Sequence, residues 1–279
     1  MTVTLTIDLE DVSGRYEAAG RYVSLTRHLL SLCDEHRCKA TFFVVGKLAE
    51  ASPLIIREIS AQGHEIASHS HAHCPLTQDT RESVARTLRE DKDRLEQLTG
   101  QAVVGYRAPC FSLRPETRWV VDALAEAGFL YSSSVMPTTI SRHGYPQAPA
   151  TAFRWPNGLV EFPLPTYEIG GLRLPYLGGI YLYAWPFFLS SRWARKARSG
   201  SVLWTYAHPY DFDRAEPWGR MPDTPLWASA ILRLARRVAE RKIRGLLTVC
   251  GIAPPLKDRL LEREYPAWIA ASGAIYTTI

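Results

Sequence analysis

The sequence predicts an α/β fold in which a parallel sheet has helices on its outer faces. Apolar runs typical of buried strands alternate with helical patterns along the chain, and this alternation favours a parallel sheet. Gly63, Gly100 and Gly128 stand where three helical patterns stop, as glycine commonly does at helix ends. About seven or eight such strand–helix units are enough to close into a barrel.

The predicted strands begin with the apolar run Val3–Ile7 and continue with KATFFVV at Lys39–Val45. The remaining ones are, in order, His64–Ser68, Val103–Arg107, Phe129–Ser133, Leu159–Leu164, Ser201–His208 and Gly245–Val249. The predicted helices are Leu48–Gln62, Asp79–Thr99, Pro115–Ala127 and Leu226–Arg241. Proline in the first turn supports the third of these helices, because that position needs no backbone N–H.

The composition is that of a soluble globular protein, with 279 residues, 46% of them hydrophobic and 22% charged. No stretch of about 18 residues is apolar and uncharged, and no basic-then-apolar leader opens the sequence. We therefore expect neither a spanning helix nor a signal peptide, and a cytoplasmic location. The five cysteines are expected to be reduced, and the net charge of +5 is compatible with an anionic surface or substrate.

Three carboxylates, Asp8, Glu10 and Asp11, follow the first predicted strand in the stretch TIDLED. Like charges this close together are costly unless a cation or a proton relieves the repulsion. One carboxylate can serve as a metal ligand and another can accept a proton from metal-bound water. The alternative is a solvated junction between strand and loop. Alternation along the strand puts Asp8 and Glu10 on one face, with Asp11 just beyond it.

The third predicted strand runs into HSHAH, which places His69 and His73 four residues apart. If the chain turns into a helix after His69, this spacing puts both imidazoles on one face. Two imidazoles with one carboxylate are a common ligand set for a catalytic divalent metal that keeps positions open for water. A solvated turn is the alternative, and the acids of the first strand favour the metal site.

Two further strand ends carry polar residues, RAPCFS from Arg107 and HPYDFD from His208. The guanidinium of Arg107 can hold a catalytic carboxylate, and the backbone N–H of Cys110 can face a developing oxyanion. We discount the Cys110 thiol as a nucleophile because no separate Cys–His–Asp set is visible. His208 can protonate a leaving amine, with Asp211 or Asp213 to orient it. Taken singly, Arg107 reads equally as a surface arginine before a turn, and His208 reads more often as a hydrogen-bonded core residue. The complete set of strand-end residues favours the functional reading.

The motifs TIDLED, ATFFVVGKLAE, GHEIASHSHAH, GYRAPCFS and TYAHPYDFD, in that order, resemble the polysaccharide deacetylase superfamily (NodB homology domain, carbohydrate esterase family 4). The resemblance covers roughly residues 3–250 and points to a bacterial branch associated with exopolysaccharide and envelope glycans. It implies one domain over residues 1–279, folded as a distorted (β/α)7 barrel. The implied activity is metal-dependent hydrolysis of an N-acetyl group on an amino sugar. Zn²⁺ is the implied metal, with Co²⁺, Ni²⁺ and Mn²⁺ as alternatives.

The resemblance also implies roles for individual residues. Asp8 matches the family's catalytic base, and Arg107 matches the arginine that holds it. His69 and His73 match the two metal-binding histidines, and His208 matches the catalytic acid. The implied mechanism is attack by metal-activated water, with Asp8 as base and His208 as acid.

This sequence departs from the family pattern in two places. The family starts with two adjacent aspartates, the base and a metal ligand, whereas Leu9 and Glu10 intervene here. The third ligand is therefore Asp11, which residue type favours, or Glu10, which alternation favours. Cys110 is not a departure, because it stands where the family uses a backbone N–H in the oxyanion hole. The second departure concerns the support of the acid histidine. Family members commonly have an aspartate near FLYSSSV to support the acid histidine; serines stand there in this chain, and Asp211 is the candidate substitute.

Residues 175–198, PYLGGIYLYAWPFFLSSRWARKAR, belong to an aromatic and basic insertion at about 170–200. Such a composition is typical of an interfacial segment, which would contact a membrane, here the inner membrane, or a lipid-linked glycan. A buried amphipathic helix with a basic outer face is the alternative. The basic group is short and comes without a binding motif, so we expect no nucleic-acid partner.

The predicted substrate is therefore a glycan or its lipid-linked precursor. One alternative is a deformylase or cyclic amide hydrolase of the same superfamily, which would act on a smaller substrate. A glycan-binding protein without activity is the other, and the complete set of acids and histidines argues against it. The oligomeric state is left open.

Overall fold

A sheet of eight strands organises the computed structural model, which describes residues 1–11, 16–17, 20–138, 140, 144–198, 200–215, 233–234 and 236–269. The strands are β1 Thr4–Leu9, β2 Thr41–Val44, β3 Glu65–Ser68, β4 Gly105–Tyr106, β5 Tyr131–Ser132, β6 Phe153–Arg154, β7 Val160–Glu161, β8 Thr166–Ile169, β9 Leu172–Pro175 and β10 Trp204–Ala207. Strands β8 and β9 form a separate hairpin. The first seven predicted strands are confirmed as β1–β5, β7 and β10.

The order across the sheet is β10-β1-β2-β3-β4-β5-β7-β6, and every neighbouring pair is parallel except β6 with β7. The carboxyl ends of seven parallel strands therefore lie at one edge. In the described part of the chain, no strand pairing joins the outer strands β10 and β6. The predicted α/β distorted barrel is confirmed. Its sheet is curled, and the described strands leave it open between β10 and β6.

The register of β1 and β2 shows which side chains point into this barrel. Asp8 is the direct partner of Phe43, so both lie on the same face of the sheet. Phe43 packs in a cluster with Tyr131 and Trp204, whereas Phe42 packs in the larger cluster that includes residues of the outer helices. Asp8 therefore faces the interior of the barrel.

The helices are α1 Arg21–Glu35, α2 Gly46–Ala51, α3 Pro53–Ala61, α4 Arg81–Thr99, α5 Val120–Glu126, α6 Gly179–Ala184, α7 Phe187–Arg195, α8 Ala239–Cys250 and α9 Leu256–Arg259. The helix predicted over Leu48–Gln62 is divided into α2 and α3 because Pro53 starts a new helix at its first position. The helix predicted from Pro115 is a 3-10 turn followed by α5. Helix α4 begins two residues after the predicted start and ends at Thr99 as predicted; the Thr80 hydroxyl accepts a hydrogen bond from the N–H of Ser83 at its first turn.

The strand predicted over Gly245–Val249 is wrong, because these residues lie within α8. Its buried residues Ile243, Leu246, Leu247 and Cys250 recur at helical spacing, a pattern that a window of five residues cannot reveal. Gly245 sits in this helix because a Cβ there would lie 2.9 Å from the ring of Phe187. The helix predicted over Leu226–Arg241 lies mostly outside the described residues.

The aromatic and basic insertion consists of the β8–β9 hairpin and helices α6 and α7, between β7 and β10. Tyr183 and Trp193 are buried, and Tyr167 stacks on Trp193 at 4.9 Å. The outer face of α7 exposes Phe188, which is 66% accessible, and Arg192. Most of the aromatic side chains thus pack against the protein, and membrane contact stays a prediction. In the residues that the structure describes, no helix has the length and apolarity needed to cross a bilayer.

Candidate active site

The acids after β1 are separated by the geometry of the strand end. Asp8 and Glu10 are both buried, at 3% and 7% exposure, and Glu10 N–H donates to the carbonyl of Asp8 at 3.1 Å. Asp11 is only half-buried. Alternation therefore sends Asp8 and Glu10 into the barrel, while Asp11 lies past the strand.

The loop after β3 brings His69 and His73 together without forming a helix. Their ring centroids lie 5.0 Å apart, and the chain between them turns through a left-handed conformation at Ser70, with φ of 63°; His73 itself has φ of 54°. The two imidazoles meet as predicted, but the helix that was expected to bring them together is not formed. Backbone N–H groups of Gly46 and Lys47 at the start of α2 hold this loop by its carbonyls.

Gly46 is required at this contact between α2 and the histidine loop. A Cβ on Gly46 would lie 2.2 Å from Oδ1 of Asp91 and 2.8 Å from Nδ1 of His71. These two atoms are themselves 2.9 Å apart, in a hydrogen bond that ties the loop to α4. The middle histidine of HSHAH is therefore used to anchor the loop.

Glu10, His69 and His73 are the group of possible ligands that the described residues bring together. One ligand atom from each lies within 4.8 Å of the others. Oε2 of Glu10 contacts Nε2 of His73 and lies 3.9 Å from Nε2 of His69. Asp11 is not in this group, although residue type favoured it as the third ligand. The carboxylate in the group is that of Glu10, which strand alternation favoured.

The donor atoms of this group fit a divalent cation. His69 donates from Nδ1 to the carbonyl of Arg107 at 2.8 Å, so its Nε2 lone pair is left facing Glu10. Burial lowers the pKa of His69 to about 4, which keeps the ring neutral as a ligand must be. Oε2 of Glu10 is buried and accepts no well-oriented hydrogen bond in the described part of the chain. Two imidazole nitrogens and a carboxylate oxygen are a common set for zinc.

Electrostatics keep Glu10 ionised. Burial alone would raise the pKa of this carboxyl, but the neighbouring His73, His208 and His69 bring it well below its usual range. The same charge acts in reverse on His73, whose pKa is raised by Glu10 although burial would lower it. The carboxylate of Glu10 therefore carries a negative charge that can bind a cation.

Asp8 is held by the buried Arg107 at the inner face of the sheet. Nη1 of Arg107 donates to Oδ1 of Asp8 at 2.5 Å, while Nε and Nη2 donate to the carbonyl and hydroxyl of Ser133. The guanidinium carbon lies 4.0 Å from the ring centre of Phe43 and 4.3 Å from that of Trp204. This packing fixes the arginine, so one oxygen of Asp8 is engaged and the other faces the site.

His208 closes the site from the end of β10. Its Nε2 lies 3.6 Å from Oε1 of Glu10 and 4.0 Å from Oδ2 of Asp8, and its Nδ1 donates to Oδ2 of Asp211 at 3.1 Å. Burial opposes the charged ring, but Asp211, Glu10 and Asp8 raise the pKa of His208 to about 9. Asp211 thus orients His208, whereas Asp213 is bonded to Arg21 on α1.

Two tyrosines that the sequence analysis did not single out complete the site. Tyr210 stacks on His208, with ring centroids 4.5 Å apart, and its hydroxyl donates to Oε1 of Glu10 at 2.8 Å. Tyr183 on α6 donates to Oδ2 of Asp211 at 2.8 Å. Tyr210 lies inside the HPYDFD motif, so that motif offered a signal for it. Nothing local in the sequence links Tyr183 to Asp211.

Cys110 lies in the 3-10 turn Pro109–Phe111 with a left-handed backbone, φ of 54°. Cys110 is exposed at the rim of the site, but partial desolvation by its neighbours, together with the charges of Glu10 and Asp8, raises the pKa of its thiol to about 11. The thiol therefore stays protonated near neutral pH, which argues against a nucleophilic role. Ser134, in the SSS stretch at the end of β5, accepts a hydrogen bond from the N–H of Ala108. These serines thus support the loop that follows Arg107, whereas His208 is supported by Asp211.

Comparison with known proteins identifies the first half of the chain. Residues 2–131 match the family model for polysaccharide deacetylase. These residues, slightly less than half of the chain, are therefore similar to that family. Residues 133–252 match a second model, a domain of unknown function, DUF3473. One sheet crosses both matched stretches, because β7 pairs with β5 and β10 pairs with β1.

Curated relatives match this chain over part of their length. A chitooligosaccharide deacetylase of Sinorhizobium fredii is 39% identical over 85 residues, 30% of this chain and 40% of the relative. A peptidoglycan-N-acetylglucosamine deacetylase of Bacillus cereus is 28% identical over 104 residues, 37% of this chain and 38% of the relative. The chain thus spans roughly two fifths of these curated relatives.

The fold is shared over nearly the whole chain with a solved structure. This structure, a proposed polysaccharide deacetylase from Mycobacterium smegmatis, is 22% identical and has a TM-score of 0.50. The likeness covers 91% of this chain and 93% of that one. It therefore includes the second half of the chain, which the deacetylase family model does not reach.

Proposed function

We propose that this chain is a metal-dependent hydrolase that removes the N-acetyl group from an amino sugar. The substrate would be a bacterial envelope glycan, an exopolysaccharide or a lipid-linked precursor of either. The observation that carries the proposal is the arrangement of the candidate metal ligands, the candidate base and the candidate acid. Glu10, His69 and His73 lie at the centre, with Asp8 and His208 next to them.

Glu10, His69 and His73 would hold the metal, with Zn²⁺ favoured by the ligand types and Co²⁺, Ni²⁺ or Mn²⁺ as alternatives. A bound metal of this kind lowers the pKa of water and polarises a carbonyl oxygen. Tyr210 would orient Glu10 for this role through its hydrogen bond to Oε1. The donors are held by neighbours that fix their direction, as in known metal sites.

Asp8 would accept the proton of the attacking water, because its Oδ2 faces the site while Arg107 holds Oδ1. His208 would donate a proton to the departing amine, because its Nδ1 is bonded to Asp211 and its Nε2 faces the same centre. The backbone N–H of Cys110 would stabilise the developing oxyanion. Arg107 and Asp211 act through Asp8 and His208 and are positioning residues.

The named activities of the relatives support an N-acetylated amino sugar as substrate. The two that we compared act, by name, on chitooligosaccharide and on the N-acetylglucosamine of peptidoglycan. Both are amides of an amino sugar, so hydrolysis of this C–N bond is the chemistry that the proposal carries over. The choice between a polymer and a lipid-linked precursor rests on the sequence resemblance alone.

The proposal is tested by acetate release from chitooligosaccharides and peptidoglycan fragments, using the full chain loaded with Zn²⁺. We expect release that stops on chelation and in His69→Ala, and that continues in His28→Ala, which changes a histidine on α1 away from the site. Formylated amino sugars and cyclic imides form a second substrate arm. Turnover of these alone would favour the smaller-substrate alternative, and metal binding without any turnover would contradict the proposal.

A further inference from the structure

A second cavity, of about 250 Å³, lies away from the site described above. The β8–β9 hairpin, the end of α7 and the segment before β10 enclose it. Its lining includes Thr166, Tyr167, Arg173, Lys196, Arg198 and Ser201. None of the residues assigned to the active site lines it.

This cavity and the active site lie at opposite ends of β10. Val202 and Leu203, which line the cavity, precede the strand, whereas His208 follows it. At the rise of an extended chain, Leu203 and His208 are about 16 Å apart. One sugar unit therefore cannot occupy both places, so a ligand in the cavity would be distinct from the group bound at the active site.

Positive charge dominates the lining. Arg173, Lys196 and Arg198 face one acid, Glu168, which pairs with Arg198 at 3.1 Å. Among the described residues, neither Arg173 nor Lys196 has an acidic partner. Nη1 of Arg173 donates to the carbonyls of Ala148 and Pro146, which fixes the guanidinium beside the cavity. Two of the three cations are thus available to an anion.

The uncharged part of the lining combines hydroxyl groups and aromatic rings with small apolar side chains. The Oγ1 atom of Thr166 is buried and has no hydrogen-bond partner in the described part of the chain. A buried hydroxyl without a partner is costly, and a bound hydroxyl group or water would relieve it. Ser201 adds a second hydroxyl. Tyr167 supplies an aromatic ring, which is held in place by stacking on Trp193 with an angle of 11° between the two ring planes.

We propose that this cavity is a second carbohydrate site, which binds a sugar unit bearing a negative charge. The charge would be a carboxylate or a phosphate, since Lys196 and Arg173 bind either. The hydroxyl of Thr166 and the ring of Tyr167 recognise the sugar itself. The inference does not depend on the proposed deacetylation, because no residue of the active site takes part.

The test is an NMR titration of the full chain with four probes: glucuronic acid, glucose 6-phosphate, glucose and inorganic phosphate. We expect both charged sugars to bind, and glucose and inorganic phosphate each to bind at least about tenfold more weakly, because each lacks one of the two recognised features. The two charged sugars distinguish a carboxylate from a phosphate as the preferred group. Equal binding of inorganic phosphate and glucose 6-phosphate would overturn the recognition of sugar.

Matched variants locate the binding. Lys196→Gln and Thr166→Val should each weaken binding of the preferred charged sugar about tenfold, whereas Thr166→Ser should retain it. Arg192→Gln makes the same charge change on the outer face of α7, outside the cavity, and should leave the affinity unchanged. Equal losses in Lys196→Gln and Arg192→Gln would overturn the site, and so would a loss in His69→Ala, which changes only the active site. Binding by none of the probes at millimolar concentration also overturns it.

Discussion

Arg107 and Asp8 form a buried ion pair, with Nη1 of the arginine 2.5 Å from Oδ1 of the aspartate. Removing one partner of such a pair leaves a buried charge without compensation. We expect Arg107→Gln to lower the free energy of unfolding by about 3–5 kcal/mol, measured by urea denaturation. Arg86→Gln on the exposed face of α4 is the matched control and should change it by less than about 0.5 kcal/mol. Equal effects of the two changes would mean that the pair contributes little.

The identity of the third metal ligand is decided by comparing the two acids beyond Asp8. Glu10→Ala should abolish stoichiometric metal binding near neutral pH, because it removes the carboxylate between His69 and His73. Asp11→Ala should leave one metal per chain, because Asp11 is outside that group. Metal content is measured by elemental analysis after dialysis. The reverse result would assign Asp11 as the ligand.

The link between His208 and Asp211 predicts a graded loss of turnover. His208→Gln removes the proposed proton donor and should lower kcat about 100-fold or more. Asp211→Asn keeps the size of the side chain but weakens its hold on Nδ1 of His208, so we expect a smaller drop in kcat with little change in KM. Tyr183→Phe should have the mildest effect, as it removes only the hydroxyl bonded to Asp211. A change confined to KM in these variants would contradict the proposed roles.

His64 predicts how stability depends on pH. Its Nδ1 accepts from the N–H of Ala40, and burial lowers its pKa from 6.5 to about 4. Between these two values the unfolded chain binds a proton that the native chain does not, so the free energy of unfolding falls as the pH falls. The contribution is complete above about pH 6.5, is lost by about pH 4 and amounts to about 3 kcal/mol.

The variant His64→Gln tests this dependence, because glutamine can accept the same hydrogen bond without titrating. Urea midpoints measured from pH 7 to pH 4 should decline less steeply in His64→Gln than in the unaltered chain. His28→Gln, at a more exposed position on α1, is the control and should keep the original slope. Parallel slopes in all three proteins would exclude His64 as the cause.

The outer face of α7 predicts adsorption to anionic vesicles. Phe188, Arg192 and Arg195 are exposed there, and each basic residue near an anionic surface contributes about 1 kcal/mol. Arg192→Glu combined with Arg195→Glu should abolish sedimentation with vesicles that contain phosphatidylglycerol. Arg86→Glu with Arg89→Glu, on α4, is the charge-matched control. If the unaltered protein does not sediment with the vesicles, the proposed membrane contact is wrong.

Local pattern was enough to predict most of the strands and the histidine pair. The alternation that placed Asp8 and Glu10 on one face is a property of the backbone alone, and Glu10 is the carboxylate that meets the histidines. Residue type, which favoured Asp11 as the third ligand, was the poorer guide to this contact. The meeting of His69 and His73 was also predicted, but through a helix. The sequence could not show that left-handed turns at Ser70 and His73 would do the same.

The remaining parts of the site depend on contacts between distant residues. Tyr210 reaches Glu10 across 200 positions, and Tyr183 reaches Asp211 from a helix of the insertion. The HPYDFD motif marks Tyr210 as a candidate, but no local pattern shows that it meets Glu10 or that Tyr183 meets Asp211. The strand predicted at Gly245–Val249 failed for a related reason, because its apolar residues serve one face of a longer helix.

The hydrogen bond from Tyr183 to Asp211 has a consequence for modularity. The proposed base and the three candidate ligands lie within residues 2–131, whereas His208, Asp211 and Tyr183 lie within 133–252. The two regions therefore both contribute residues to the proposed reaction centre. A chimera that paired the first region with an unrelated second one would keep the base and lose the proton donor, so the two regions must be inherited, or engineered, as a unit.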